Sequence, residues 1–250
     1  GPSKEFTMRR FPPFLSFLPI LPLWATVGCG PKPDPVPPVT QTEETSPAAA
    51  TIPPMDQHFV QASEIKMAIV MGDLDAARNP ARWLQNNLDP AALPARWRPH
   101  VPKVKRAAKE VEDASTIAEA AKGAAKLARA CGDCHTDVGV ELGGPEDYAP
   151  TDAATPAEEM FRHQWALDRM YEGLMRPSLE GWNSGADMLA NAPLHGEGAG
   201  ENVTGQAEKV HGLGASAKNA TDWNQREDHL AELFASCASC HQAVGFKPGN

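Results

Sequence analysis

Two pentapeptides in this chain share the pattern Cys-x-x-Cys-His, and they lie 106 residues apart. They contain Cys131, Cys134 and His135 in the first copy, and Cys237, Cys240 and His241 in the second. On a helix, positions i, i+3 and i+4 lie on one face. Each motif therefore presents two thiols and one imidazole to the same side of a helix, so the chain must fold around two such surfaces.

This spacing predicts the covalent attachment of one c-type haem at each motif. The two thiols would form thioether bonds to the haem vinyl groups, and the adjacent imidazole would bind the iron from one side. A zinc ribbon would bring its cysteines as two close pairs, whereas these pairs are 106 residues apart. A thioredoxin-like dithiol requires a βαβ pattern, which the sequence lacks. The sequence therefore predicts two covalently bound haem c groups.

The N-terminal region predicts export. Residues 1–7 are typical of a cloning remnant, and residues 8–28 combine a positive start with a short, proline-containing apolar run. Cys29 follows small residues and precedes a Pro-rich stretch, which resembles a bacterial lipoprotein signal, so we predict lipidation at Cys29. Ordinary signal cleavage nearby is the alternative, and it would leave a free thiol. Residues 29–54 are predicted to form a disordered tether. The protein is expected in the bacterial periplasm or cell envelope, anchored to the membrane.

The formal net charge of −9 argues against a nucleic-acid partner. Haem propionates would make the mature protein more acidic. An acidic surface favours redox partner proteins that carry a basic docking patch.

The chain after residue 54 is predicted to contain a duplicated all-helical unit. Met55 and His58 recur as Met160 and His163 at an offset of 105 residues. Apolar residues at helical spacing predict four helices in the first copy, at 55–71, 74–88, 102–111 and 116–135. In the second copy they predict a first helix that carries His163, followed by helices at 179–190, 203–217 and 221–241. Three glycines in 203–217 predict that this helix is short or broken.

The predicted fold is all-α, with two tandem four-helix bundles that each carry a c-type haem on the last helix. The predicted haem domains are 55–144 and 157–250, joined by a linker at 145–156. A four-helix unit with its haem motif near the end of the last helix resembles the class II cytochromes c, the relatives of cytochrome c′ and cytochrome c556.

The sixth iron ligand is predicted from the first helix of each copy. In an antiparallel bundle the start of helix one lies beside the end of helix four, so His58 should face the haem of His135 and His163 that of His241. Met55 and Met160 lie one turn earlier and are alternatives, since cytochrome c556 relatives use a first-helix methionine. An open, five-coordinate iron is the third possibility. His100, His195, His211 and His229 lack such placement and are expected at the surface.

Ligation decides between the candidate functions. Two strong axial ligands leave no substrate site and favour a membrane-tethered electron carrier with low-spin haems, which is not an enzyme. An open iron would favour a cytochrome c′-like gas-binding protein or a dihaem peroxidase. Lys66 and Arg169 could neutralise haem propionates, although exposed helix charges are more common.

Overall fold

The structure is a computed structural model that describes residues 55–140, 149–150, 155–191 and 201–246. Those residues form eight α-helices and two short 3₁₀ helices, with no strand among them. The α-helices are α1 Met55–Val70, α2 Leu74–Asn87, α3 Val101–Asp113, α4 Ile117–Val138, α5 Pro156–Met175, α6 Leu179–Asn191, α7 Glu201–Ala217 and α8 Trp223–Ala243. The prediction of an all-α fold is confirmed. The predicted signal, Cys29, the tether and His195 lie outside the described residues.

Two helices begin at capping boxes with the same sequence pattern, Thr-x-x-Glu. Thr116 caps α4 and accepts a hydrogen bond from the Glu119 amide at 3.2 Å, while the Glu119 carboxylate reaches back to the cap. Thr155 and Glu158 repeat this arrangement at the start of α5, with Pro156 in its first turn. Each box satisfies amide groups that a helix start leaves unpaired. The end of the predicted linker is therefore the beginning of α5.

The prediction that glycines shorten or break the helix at 203–217 was wrong. Helix α7 is continuous over 17 residues. Gly212 faces open space, whereas a Cβ atom on Gly214 would lie 2.7 Å from the Leu189 side chain. The loss of helix propensity at glycine is about 1 kcal/mol per residue, and packing against α6 outweighs it because Gly214 lets the two helices approach closely.

The described helices belong to one compact unit that forms a helical bundle. Within the first half (α1–α4) and the second half (α5–α8), each helix packs against the next in the chain. The halves meet mainly along α4 and α8, the two helices that carry the cysteine motifs, and α4 also packs on α5. One continuous apolar core contains buried residues from both halves. The cysteine motifs therefore lie on helices that are in direct contact.

Equivalent positions of the two repeats meet between α1 and α5. Tyr171 is fully buried, and its hydroxyl donates a hydrogen bond to the Ala62 carbonyl at 3.0 Å. Lys66 occupies the position equivalent to Tyr171, and its ammonium group lies 5.4 Å from the centre of the Tyr171 ring. Lys66 also forms an ion pair with Asp168. The lysine is buried rather than exposed, and it joins the two halves.

We expect Tyr171→Phe to lower the free energy of unfolding by about 1 kcal/mol, because the buried Ala62 carbonyl loses a hydrogen bond while the ring remains. For a chain of this length that corresponds to a fall in melting temperature of about 2–4 °C. Urea unfolding measures the change. Ser216→Ala is the matched control, since its hydroxyl bonds to the Gly212 carbonyl on the exposed surface. Equal losses in both variants would contradict the expectation.

Candidate functional site

Each Cys-x-x-Cys-His motif lies in the last turns of a long helix. Cys131, Cys134 and His135 fall within α4, which ends at Gly139 in the left-handed region at φ 69°. The second motif has the same place in α8. The helical spacing on which the attachment prediction depends is therefore present in both halves, and two thiols and an imidazole share one face of each helix.

The four thiols are free, and burial governs their chemistry. Burial, with a smaller effect of the neighbouring cysteine of each motif, raises the pKa of Cys131 and of Cys237 to about 12. Burial also raises the pKa of Cys134 and Cys240. Reactive dithiols have a lowered pKa and an electropositive environment. These cysteines lack that property, which argues against a redox-active dithiol.

Both motif histidines are oriented in the same way by the opposite half of the protein. Nδ1 of His135 lies 2.8 Å from the carbonyl of Met175 at the end of α5. Nδ1 of His241 lies 2.8 Å from the carbonyl of Val70 at the end of α1. The two carbonyls are 105 residues apart and occupy equivalent repeat positions. A carbonyl only accepts, so each Nδ1 must donate, and the lone pair of each neutral ring is left on Nε2.

This tautomer is the one that suits a metal ligand. A ligating histidine typically donates its other ring N–H to a carbonyl or a carboxylate, which orients the ring and increases its basicity. His135 and His241 both have such an acceptor within the protein itself. Each half supplies the thiols and the imidazole, and the other half supplies the acceptor that orients the ring.

A cavity of about 310 Å³ adjoins the first motif. Its volume is within the range of about 300–1,000 Å³ that is typical of ligand sites. Cys131, Cys134 and His135 line it. Most of the remaining lining is apolar and comes from α1, α2, α3, α4 and the segment between α2 and α3, including Phe59, Ala62, Leu84, Leu88, Leu93, Trp97, Val101, Val104 and Leu127. Met175 and Arg176 extend the lining into the second half.

His58 lines the same cavity from the first turn of α1 and is buried. Neither of its ring nitrogens makes a hydrogen bond of normal geometry within the described ranges, although the Asn87 backbone interacts with the ring. The ring contacts Trp83 edge-on, with centroids 5.5 Å apart. Burial lowers the pKa of His58, partly opposed by the interaction with the Asn87 backbone and by the carboxylate of Asp56. A buried imidazole with so little hydrogen bonding is costly, and here it stands beside the motif where an iron atom could accept its lone pair.

Methionine, the alternative ligand, is less buried than His58 in the first half. Met55 also lines the first cavity, but it is 42% exposed, and Met160 is 44% exposed. His58 is 7% exposed. Burial of a polar ring that makes no hydrogen bond of normal geometry favours the histidine over the methionine at the first site.

The surroundings of His163 differ from those of His58. Its Nε2 atom lies 3.1 Å from a carboxylate oxygen of Glu159, one turn earlier on α5. Its ring packs edge-on against His211 of α7, with centroids 5.7 Å apart. Burial, together with the positive charges of His211, Arg162 and His241, lowers the pKa of His163 to about 4. Glu159, His163 and His211 bring one ligand atom each to within 4.8 Å of the other two, which forms a possible metal-binding triad.

Sequence reasoning missed the roles of His100 and His211. The His100 side chain is only 12% exposed, and it lines the first cavity rather than the surface. His211 lies against His163 instead of facing solvent. Neither histidine has a counterpart in the other repeat, so the internal comparison that singled out His58 and His163 could not find them.

No helix in the described part of the chain is long and apolar enough to cross a membrane. No family model, no curated protein and no solved structure matches this chain.

Proposed function

We propose that this protein is an exported dihaem cytochrome c that carries electrons in the bacterial envelope. Each half is a four-helix bundle with one haem c on its last helix. Cys131 and Cys134 bind the first haem, and Cys237 and Cys240 bind the second. His135 and His241 are the proximal iron ligands. Cys29 anchors the chain to the membrane, and the acidic surface docks redox partners through a basic patch on the partner.

The observation that carries this proposal is the constellation around the first cavity. Two thiols, a histidine with its Nδ1 held by a carbonyl, and a buried histidine that makes no hydrogen bond of normal geometry all border one apolar space. A flat, mainly apolar ligand with a metal at its centre satisfies these groups together. His58 is the sixth ligand of the first haem, and His163 is its counterpart at the second.

The haem groups supply reversible one-electron oxidation of iron. The residues of the chain hold and shield them. The thioether cysteines fix each ring to its helix, and the Met175 and Val70 carbonyls orient the proximal imidazoles. The mainly apolar walls would limit the contact of water with a haem in the first cavity, and imidazoles from both His135 and His58 would leave its iron no position for a substrate. The packing of α4 on α8 brings the two haem-bearing helices together, which favours electron exchange between the haems.

Haem loading tests the proposal. We expect protein produced in a host with c-type haem maturation to gain the mass of two haems, both resistant to acid–acetone extraction. Cys131→Ala with Cys134→Ala should remove one haem, and the corresponding pair at Cys237 and Cys240 should remove the other. Mass spectrometry and the pyridine haemochrome spectrum give the stoichiometry.

Cys29→Ala is the control for haem loading, and it should retain both haems while losing membrane association. Protein that carries no covalent haem would overturn the proposal. A high-spin ferric spectrum from both haems would instead favour an open iron and a gas-binding or peroxidase function.

A further inference from the structure

The second half contains a cluster of metal-ligating side chains that the first half lacks. Glu159 and His163 are one turn apart on α5, and His211 projects from α7. Their ligand atoms lie within 4.8 Å of one another. The equivalent region of the first repeat has Pro54 in place of Glu159 and basic side chains, Lys105 and Arg106, around the position of His211. The cluster is therefore specific to the second half.

The donor set suits a divalent transition metal. Two imidazoles and one carboxylate are a common ligand set for Zn²⁺, with a fourth position open to water. Bonds of about 2.0–2.2 Å in a tetrahedral site place the ligand atoms about 3.3–3.5 Å apart. His163 Nε2 and Glu159 Oε1 are already 3.1 Å apart. Small side-chain rotations of His211 would therefore complete the site.

The state of the side chains also suits a metal. Nε2 of His211 is buried and has no hydrogen-bond partner among the described residues. Glu159 is buried and supplies the negative charge. The Arg162 guanidinium, with Nε 3.9 Å from Glu159 Oε2, is the nearby charge that opposes a cation.

We propose that Glu159, His163 and His211 bind one divalent ion of the zinc class, and that this ion competes with the second haem iron for the imidazole of His163. An imidazole lone pair can serve only one metal. Binding of the cation therefore removes the sixth ligand from the second haem and leaves the first haem, with His58, unchanged. The competition with the haem iron rests on the proposed function, whereas metal binding by the three side chains does not.

The test is a titration of the ferric, haem-loaded protein with Zn²⁺. In that form the four motif cysteines are thioethers and no longer bind zinc as thiolates. We expect one Zn²⁺ per chain by equilibrium dialysis and metal analysis. We also expect one of two low-spin signals in the electron paramagnetic resonance spectrum to become high-spin in parallel.

Variants on two helices separate the site from surface binding. Glu159→Gln and His211→Gln should each weaken binding at least tenfold, whereas His229→Gln on α8 should bind as the parent does. An unchanged circular dichroism spectrum and an unchanged signal from the first haem show that each variant is folded. Binding that is equal in all variants, or saturation by Zn²⁺ with both haem spectra unchanged, would overturn the inference.

The two proposals fail in different ways. A second haem that is high-spin before zinc is added would show that His163 is not its ligand. The zinc stoichiometry and its dependence on Glu159 and His211 would still decide whether the triad binds metal. Absence of stoichiometric Zn²⁺ binding, with two low-spin haems, would overturn the triad and leave the electron carrier intact.

Discussion

His58→Ala is expected to convert the first haem from low-spin to high-spin and leave the second haem unchanged. The imidazole of His58 borders the cavity of the first motif, and its ring nitrogens make no hydrogen bond of normal geometry in the described part of the chain. Alanine offers no ligand, so the iron would retain His135 and gain at most water unless His100 moves into the vacant position. Low-temperature electron paramagnetic resonance of the ferric protein should lose one of its two low-spin signals.

The change should also alter ligand binding. An open iron accepts carbon monoxide in the ferrous state, so the variant should bind about one carbon monoxide per chain where the parent binds none. His229→Ala is the control, since this histidine lies outside the cavity lining. His100 also borders the cavity and could replace the lost ligand. A low-spin first haem that survives in the double variant of His58 and His100 would contradict the assignment of His58.

Gly132→Ala should destabilise the protein and disturb the first haem. Gly132 lies within the first motif, and a Cβ atom there would stand 2.3 Å from the Leu174 carbonyl of α5. The helix end must move, and overpacking of this kind costs about 1–3 kcal/mol. The melting temperature should fall by about 2–10 °C. Met175, the next residue, carries the carbonyl that holds His135, so the haem should respond as well.

The expected haem response has a defined direction. A weaker hydrogen bond from Nδ1 lowers the basicity of the His135 imidazole. The ferric state then loses stabilisation, so the reduction potential of the first haem should rise. The second haem, whose His241 is held by Val70, should keep its potential. Spectroelectrochemistry of the two haems measures both values.

Two comparisons separate the effect of the contact between Gly132 and Leu174 from any effect of alanine on the cysteine motif itself. The second motif already has alanine at the equivalent position, Ala238, so we expect the proposed attachment chemistry to tolerate alanine. Gly212→Ala is the matched control, since it lies on a helix with open space around it, and it should stabilise the protein by up to about 1 kcal/mol. A Gly132→Ala protein as stable as that control would contradict the close approach of α4 and α5.

The all-helical fold and most helix positions could be predicted from the sequence because helical periodicity and capping are local signals. The apolar residues at helical spacing are buried, as Ile65 and Ile69 show on α1 and Leu230, Leu233 and Phe234 show on α8. Helix α7 was the exception. Glycine is a local signal for helix breaking, but Gly214 is used for contact between helices, which the local sequence does not encode.

The sequence by itself predicted which side chains attach haem, since Cys-x-x-Cys-His needs only one helix face to bring its three groups together. It also singled out His58 and His163 through the internal repeat. Only the tertiary structure decided what surrounds them. The carbonyls of Met175 and Val70 come from the opposite half, and His211 reaches His163 from another helix. Such contacts depend on how helices pack, and residues that meet only through packing leave no periodic or spacing signal in the chain.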